Sequence, residues 1–327
     1  MRTLIAFVLM ALGAAGCAAA PPGGLRPLEL EADGRWIGAG ISYGEYRDAQ
    51  GPGGAQPSDD ELLEDLRLLS ARWTLIRMYG AQNGERVARL IDRHDLPLRL
   101  MLGAWIETES SPEARANNRE QVEIAIRAAN AYPSAVWALS IGNESQVFWS
   151  GHRTDINALI GYIEHARASV SVPVTTCDDY NFWNKPESRA VAAACDFIGL
   201  HAYAMWNKQT LVDAVSWTRE QVEAIRAMHP GLPIVHAETG WATQKHTEGE
   251  QGELIIADAG EREQELFYRA YVSWATEAKL PHFYFVAFDE NWKGGPHPDE
   301  VEKHWGLYEE DRTPKLALDP ERGAQSE

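Results

Sequence analysis

Two apolar stretches of the chain each close on a glutamate. ALSIGNE (138–144) ends on Glu144, and IVHAE (234–238) ends on Glu238. A single carboxylate at a strand end is often a salt-bridged structural group, but two that face each other across a cleft can act as general acid and nucleophile in glycoside hydrolysis. That chemistry requires one carboxyl group to stay protonated near neutral pH while the other stays ionised. The pair is therefore the first candidate for a catalytic centre.

Tryptophan residues follow many of the apolar stretches. Sugar rings present flat apolar C–H faces, so a cleft that binds them needs aromatic platforms. The tryptophans in such positions are Trp149, Trp183, Trp206, Trp241, Trp292 and Trp305. Any one of them is equally well explained by core packing, which is the expectation for Trp73, Trp137, Trp217 and Trp274. Together the six favour a carbohydrate cleft over a small apolar pocket.

Eight apolar runs alternate with amphipathic segments and supply the elements that must position these side chains. The runs are 36–44, 73–80, 96–105, 134–144, 172–179, 195–203, 232–241 and 281–290. Between the first two, SDDELLEDLRLLS (58–70) has Ser58 as a helix N-cap, Glu61 three residues later, and a stripe of leucines. This alternation predicts a (β/α)8 TIM barrel, a single catalytic domain over residues 36–320.

A doubly wound open sheet is the rival architecture. It normally carries a Gly-rich turn after its first strand, whereas the glycines of GAGISYG (38–44) lie inside the strand. Polar and aromatic residues at almost every strand end favour the barrel instead. These residues are Tyr43, Tyr79, Trp105, Asn143, Glu144, Asp178, Asp179, His201, Tyr203, Glu238, Trp241, Asp289 and Glu290. The carboxyl ends of parallel barrel strands meet at one mouth, so all are expected there.

An ordered set of motifs marks a family resemblance. ISYG (41–44), IGNE (141–144), ETGW (238–241), FDENWK (288–293) and HWGLY (304–308) resemble glycoside hydrolase family 17, the β-1,3-glucanase and lichenase family of retaining (β/α)8 barrels. GNE alone is shared by many related barrel glycosidases, but the motifs in this order are specific.

The resemblance implies a role for each matching residue. Glu144 would be the acid/base and Glu238 the nucleophile, with Asn143 in contact with the sugar 2-hydroxyl. Glu290 and Lys293 would form a supporting pair near the acid/base residue. The substrate-binding residues implied in this way are Tyr43, Asn143, Tyr203, Trp241, Glu290 and Lys293. We expect no cofactor and no metal.

Three features depart from the family pattern. Ala242 replaces the usual proline after ETGW, and the sixth strand continues as HAYAMW (201–206) where the family commonly has an asparagine and a YPY-like turn. The loop 242–260, with its unusual TEGEQGEL, does not align. These departures bear on the preferred linkage and chain length more than on the chemistry.

The leading interpretation is a retaining, endo-1,3-β-glucanase-like hydrolase that acts on a β-glucan polysaccharide or oligosaccharide. A transglycosylase of the same fold is the close alternative, because it differs only in whether water or a sugar hydroxyl resolves the glycosyl-enzyme. A non-catalytic surface glycan-binding protein would be expected to lack one of the glutamates. A metal-dependent hydrolase would use His201 and His236, the latter expected to share the face of Glu238, but the sequence has no HxH or HExxH spacing.

Charge excludes some partners. The 327-residue chain has a formal net charge of −18 at pH 7, and such an acidic surface repels nucleic acid and anionic lipid head groups. We therefore expect no nucleic-acid partner and a membrane association only through a lipid anchor. The chain is also expected to be a monomer.

The N-terminus predicts export. MRTLIAFVLMALGAAGC has one positive charge and an apolar run too short to span a bilayer, and its AAGC resembles a lipobox that ends on Cys17. Residues 1–16 are interpreted as a lipoprotein signal peptide, 17–35 as the lipidated Cys17 with a flexible tether, and 321–327 as a polar tail. A plain signal peptide is the alternative. Because Ala18 is not the aspartate that retains lipoproteins at the inner membrane, we expect anchoring to the cell envelope at the outer membrane.

Two further cysteines are expected to be free, buried thiols. Cys177 ends one predicted strand and Cys195 begins the next parallel one, so they lie at opposite ends of the sheet. Strands of about five residues at about 3.3 Å each separate them by more than the ~7 Å that a disulfide tolerates.

Overall fold

The computed structural model describes residues 24–319. Eight parallel strands, β3 to β10, close into a barrel in which each strand pairs with the next along the chain and β10 pairs with β3. The predicted (β/α)8 TIM barrel is confirmed. Among the described residues, no helix is long and apolar enough to cross a membrane.

The barrel strands lie within the eight predicted runs. They are β3 (Ala39–Ser42), β4 (Leu75–Met78), β5 (Arg99–Ala104), β6 (Val136–Asn143), β7 (Val174–Asp179), β8 (Ile198–His201), β9 (Ile234–Thr239) and β10 (His282–Tyr284). The helices are α1 (Asp59–Ser70), α2 (Ala81–Arg93), α3 (Pro112–Ala131), α4 (Ile156–Ser169), α5 (Tyr180–Trp183), α6 (Ser188–Ala192), α7 (Ala214–Met228), α8 (Gly249–Leu254) and α9 (Glu261–Glu277).

The first helix shows how the sequence specifies these elements. Ser58 caps α1 by accepting a hydrogen bond from the backbone N–H of Glu61 at 3.2 Å, and Glu61 accepts one from the backbone N–H of Ser58 at 2.7 Å. This is the predicted capping box. Leu62, Leu66 and Leu69 lie on one face of the helix and are fully buried, so the apolar stripe fixes the side of α1 that packs on the barrel.

Buried side chains from successive strands form an apolar cluster inside the barrel. It includes Leu75, Met101, Val235 and Phe283. Branched and bulky side chains of this kind fill the interior of a TIM barrel, which makes it a packed core rather than a pore.

An N-terminal hairpin closes the bottom of the barrel. Its strands β1 (Glu31–Ala32) and β2 (Arg35–Trp36) are antiparallel, and Leu28 and Leu30 pack against the interior cluster. The indole Nε1 of Trp137 donates to the backbone carbonyl of Glu29 at 2.7 Å. Residues 24–35, predicted as part of a flexible tether, are thus packed against the barrel, because their alternating leucines cover its apolar lower end.

Cys177 and Cys195 are free and buried, as predicted. The predicted signal peptide, Cys17 and the polar tail 321–327 lie outside the described residues.

Candidate active site

A bulge in β6 positions Glu144. Between Ser140 and Asn143 this strand has one residue more than its neighbour β7, and bulges re-aim side chains at the rims of barrels. Gly142 and Glu144 both adopt left-handed backbone conformations, with φ of 82° and 49°. The backbone N–H of Glu144 donates to the carbonyl of Cys177 at 2.8 Å. The glutamate therefore leaves the strand in a conformation that few non-glycine residues adopt.

A second bulge positions Glu238. The register of β9 against β8 shifts by one residue between His236 and Glu238, so Ala237 and Glu238 both face the barrel interior. His236 points the opposite way, and its Nδ1 lies 2.8 Å from the hydroxyl of Tyr271 on α9. The prediction that His236 shares the face of Glu238 is wrong, because it assumed an unbroken alternation of side chains along the strand.

His201, at the end of β8, joins the two glutamates. Its Nδ1 lies 2.9 Å from Oε1 of Glu144, and its Nε2 lies 3.2 Å from Oε1 of Glu238. One nitrogen of His201 and one carboxyl oxygen of each glutamate lie within 4.8 Å of one another. Each ring nitrogen of His201 therefore faces one of the two carboxyl groups within hydrogen-bond distance.

Glu238 is surrounded by donors. Arg77, only 1% exposed, donates through Nη1 to Oε1 of Glu238 at 2.6 Å, and the hydroxyl of Tyr203 donates to Oε2 at 2.7 Å. Burial alone would raise the pKa of Glu238, but the charges of His201 and Arg77 outweigh it and lower that pKa to about 2. Glu238 is consequently ionised at neutral pH.

The surroundings of Glu144 have the opposite effect on its pKa. Burial raises its pKa well above the ordinary value, and the negative charges of Glu238 and Asp179 raise it further. Its side chain keeps 18% exposure, so a ligand can reach it. The two carboxyl groups thus have different protonation states, as a general acid and a nucleophile require.

Asn143 lies beside this pair. Its Oδ1 accepts from Nη2 of Arg77 at 2.6 Å, which fixes the orientation of the amide and leaves its NH2 group as the donor for a ligand. Its backbone carbonyl lies 2.7 Å from Nε2 of His152. The arrangement orients one hydrogen-bond donor next to the two carboxyl groups, as the predicted contact with a sugar hydroxyl needs.

Glu290 and Lys293 form the predicted pair. Their side chains meet at 2.5 Å, and Nζ of Lys293 lies 4.5 Å from the ring centroid of Phe285. Burial works to lower the pKa of Lys293, but the charge of Glu290 raises it above the ordinary value, with a contribution from Glu238. The lysine therefore adds positive charge to the surroundings of the nucleophile candidate.

Two predicted substrate-binding residues do not line the mouth. Tyr43 is fully buried, and its hydroxyl donates to Oδ2 of Asp65 on α1 at 3.1 Å. Trp241 is fully buried, packs against Phe267 and donates from Nε1 to the carbonyl of Asp258 at 3.1 Å. Both predictions are wrong, because these side chains point outward from their strand ends into the layer of helices.

The predicted aromatic platforms divide in a similar way. Trp183 and Trp305 are buried, whereas Trp149 and Trp292 are exposed. The ring of Trp305 packs edge-on against Tyr203, with centroids 5.3 Å apart. Trp305 therefore supports a residue of the mouth, whereas the exposed indoles and the half-buried Trp206 keep surface that a ligand can reach.

Arg77 is a residue of the site that the sequence reasoning missed. It lies inside an apolar run, WTLIRMYG (73–80), where a charged side chain is buried only with a partner. That feature was a usable signal for an anion inside the barrel. His201 was expected at the mouth, but the only role considered for it was that of a metal ligand. Its position between Glu144 and Glu238 depends on strands that are far apart in sequence.

Among the described residues, two groups of side chains have ligand atoms close enough together to bind a metal ion. One is the group of Glu144, His201 and Glu238, and the other contains Asp289 with two neighbouring glutamates. In the first group Arg77 places a positive charge on Glu238, which opposes a cation. In the second, Nζ of Lys315 lies 2.7 Å from Asp289. The donor chemistry of the first group therefore fits proton transfer better than metal binding.

Comparisons with known proteins agree with this geometry. The chain is 27% identical over 300 residues to a glucan 1,3-β-glucosidase of Arthroderma benhamiae, which covers 86% of this chain and 90% of that protein. Its fold is similar to an endo-laminarinase from Formosa Hel1_33_131, with a TM-score of 0.76, 21% identity and 88% of each chain covered. It is also similar to a glycoside hydrolase family 17 β-1,3-glucanosyltransferase from Rhizomucor miehei, with a TM-score of 0.69, 24% identity, and 85% of this chain and 95% of that chain covered.

The family match covers both glutamates. Residues 40–306, which include nearly the whole barrel, match the BtgE/BtgC glycoside hydrolase domain. The resemblance expected from the motifs is therefore confirmed, and the chain belongs to the BtgE/BtgC glycoside hydrolase domain family.

Proposed function

We propose that this chain is a retaining glycoside hydrolase that cleaves β-1,3-glucosidic linkages in laminarin-like β-glucans. The observation that carries the proposal is the pair Glu144 and Glu238. One carboxyl oxygen of each lies within 4.8 Å of the other, and their pKa values are driven in opposite directions. The substrate class is supported by the printed names of the fungal glucosidase and of the laminarinase.

In the first step, Glu238 acts as the nucleophile. Its carboxylate oxygen forms a bond to the anomeric carbon, the glycosidic bond breaks, and the leaving oxygen takes the bond's electron pair together with the proton of Glu144. Arg77 and Tyr203 each hold one oxygen of the attacking carboxylate. The product is a glycosyl-enzyme with an ionised Glu144.

In the second step, Glu144 acts as the base. It removes a proton from water, the water oxygen bonds to the anomeric carbon, and the bond to Glu238 breaks with its electron pair returning to the carboxylate. Two inversions at the same carbon retain the configuration. The second step leaves Glu144 protonated and Glu238 ionised, as the site began.

The separation of the carboxyl groups supports retention. Retaining glycosidases hold their carboxyl groups about 5–5.5 Å apart, whereas inverting enzymes need roughly 6.5–9.5 Å to admit a water. One carboxyl oxygen of Glu144 lies within 4.8 Å of one carboxyl oxygen of Glu238, and this closeness favours retention over inversion.

Rescue of Glu238→Ala by azide tests the nucleophile. The variant should be nearly inactive, and added azide should restore turnover of an activated β-glucoside with the α-glycosyl azide as product, because the anion fills the space of the lost carboxylate. A β-configured azide product would exclude Glu238 as nucleophile. Assays of the native chain on laminarin, mixed-linkage glucan, pustulan and cellulose test the linkage, and activity on cellulose alone would contradict the β-1,3 assignment.

Transfer to a sugar hydroxyl is the second candidate activity. It uses the same first step, and the structural neighbour from Rhizomucor miehei is a β-1,3-glucanosyltransferase. Products longer than the starting laminari-oligosaccharide would show transfer, whereas only shorter products would show hydrolysis. A purely glycan-binding role is less well supported, since both Glu144 and Glu238 are present in environments suited to catalysis.

We further propose that the chain is exported and anchored through lipidated Cys17 at the outer membrane. The support is the sequence AAGC and the alanine that follows it. Cys17→Ser should release the protein from the membrane fraction. Unchanged membrane association of that variant would contradict the anchor.

A further inference from the structure

Two large aromatic side chains are exposed on the loop that follows the candidate acid/base residue in the sequence. Phe148 is 70% exposed and Trp149 is 50% exposed, and they follow Glu144 by only four and five residues. Large apolar side chains exposed side by side are a frequent mark of a binding surface. Their place in the chain indicates a ligand at the mouth of the barrel.

The turn that carries the pair is rigid. Asp178, fully buried at the end of β7, accepts the backbone N–H groups of Gln146 at 2.8 Å and of Val147 at 3.2 Å. The N–H of Thr154 donates to the carbonyl of Ser145 at 3.1 Å and closes the loop. The aromatic side chains are therefore presented by a fixed backbone, which lowers the entropic cost of binding a ligand on them.

The far end of the turn is also tied to the site. Nε2 of His152 lies 2.7 Å from the carbonyl of Asn143, and the ring of His152 packs on Trp105 with centroids 4.5 Å apart. The segment from Glu144 to His152 thus forms one wall of the mouth. Glu144 is the residue that protonates the leaving oxygen, so the wall that begins at Glu144 borders the part of the substrate that leaves.

We propose that Phe148 and Trp149 form the leaving-group subsite, which stacks on a β-linked glucosyl unit on the reducing-end side of the cleaved bond. The same surface then receives the acceptor sugar when the glycosyl-enzyme is resolved by transfer. This inference rests on the proposed function. Sugar C–H faces stack on aromatic rings, and a rigid, exposed aromatic pair suits an uncharged glucan because it needs no charge on the ligand.

The test compares two glycosyl donors that differ in their leaving groups. Laminaripentaose places glucosyl units in the leaving-group subsite, whereas β-laminaribiosyl fluoride loses only a fluoride ion, which makes no stacking contact. In F148A/W149A, kcat/KM for laminaripentaose should fall about ten-fold or more, since stacking contacts contribute to transition-state binding. The value for the fluoride should stay within about two-fold of the parent. Trp149→Phe, which keeps a ring, should retain most activity on laminaripentaose.

Leu266→Ala is the matched control, because Leu266 is an exposed apolar residue on the outer helix α9. It should leave both donors unaffected. Equal losses of F148A/W149A on both donors, or no loss on either, would overturn the subsite. Unchanged melting temperatures of all variants would exclude a folding defect.

Binding separates this inference from the proposed function. Calorimetric titration of laminaripentaose into the Glu238→Ala variant measures affinity without turnover. In a variant that combines Glu238→Ala with F148A/W149A, that affinity should be about ten-fold weaker. If the native chain hydrolyses neither donor but the aromatic changes still weaken binding, the hydrolase assignment fails and the subsite stands. Unchanged affinity would overturn the subsite whatever the catalytic result.

Discussion

Arg77 connects the parts of the site at the scale of single residues. Its guanidinium contacts Glu238 and Asn143 and lies 4.5 Å from the ring centroid of Tyr79. One buried cation therefore fixes the candidate nucleophile, keeps it ionised and orients the amide beside it. A planar guanidinium can do this because its donors form a fixed fork, which a lysine does not have.

Arg77→Met should raise the pKa of Glu238, because the nearest positive charge is removed. Glu238 must be ionised to attack, so activity falls as pH decreases through its pKa, and the acidic limb of the kcat/KM profile should move to higher pH. We expect kcat to fall about 10²-fold, as for the loss of one preorganised electrostatic contact. Arg77→Lys keeps the charge and should shift the limb less. Identical acidic limbs in all three proteins would contradict this role.

Glu144→Gln should remove most activity on β-glucans and much less on β-glucosides with good leaving groups, which need little protonation. Glu144 must be protonated in the first step, so activity falls as pH rises through its pKa, and this alkaline limb should vanish in the variant. The measurement is the pH profile of both kinds of substrate. Equal losses on the two substrates would show that Glu144 is structural.

Asp178 shows how an element positions a residue. It is the last residue but one of β7 and accepts three backbone N–H groups, those of Gln146, Val147 and Asp179. One strand end therefore holds the turn that begins at Glu144 on the neighbouring strand. Asp178 is a positioning residue, because it acts on the acid/base through the backbone.

Asp178→Ala should lower stability by about 1–3 kcal/mol for each amide left unpaired. The kcat on β-glucans should fall more than KM rises, since the acid/base loses its fixed position. Asp155→Ala, which removes two similar bonds at the N-cap of α4, should lower stability without changing kcat. A kcat for Asp178→Ala equal to that of Asp155→Ala would contradict the positioning role.

Sequence patterns predicted the elements better than the directions of side chains at their ends. The eight runs and the pair Glu144 and Glu238 follow from apolar alternation and motif order. Tyr43 and Trp241 were misplaced because a side chain beside a strand end can face the mouth or the helices, and bulges change that direction without changing the sequence pattern. The contacts of Arg77 depend on strands β6 and β9, which no local pattern in β4 describes.

At the scale of the whole molecule, the N-terminal segment 24–36, which includes the hairpin, forms a floor that covers the amino end of the barrel. Leu28 and Leu30 cover the interior cluster, and the backbone N–H of Arg26 donates to Asp196 at 2.9 Å. Asp196 precedes β8, so this contact lies at the amino end of the strands. The floor and the catalytic mouth are at opposite ends of the molecule.

The double variant Leu28→Ala/Leu30→Ala should lower the free energy of unfolding by about 1–3 kcal/mol, because it removes apolar contacts that are only partly buried. Leu25→Ala, in the same segment but exposed, should have little effect. Urea unfolding measures both, and kcat should not change. Equal stability of the two variants would show that the segment is a tether.

The position of the floor also determines which way the enzyme would face on a surface. Six residues lie between Cys17 and Gly24, and the fully extended chain from one to the other reaches at most about 25 Å. Gly24 begins the described chain at the floor, so an anchor at Cys17 would hold the floor towards the lipid and turn the mouth outward. A β-glucan would then reach the mouth from the side away from the membrane, with the lipid surface behind the enzyme rather than in the path of the substrate.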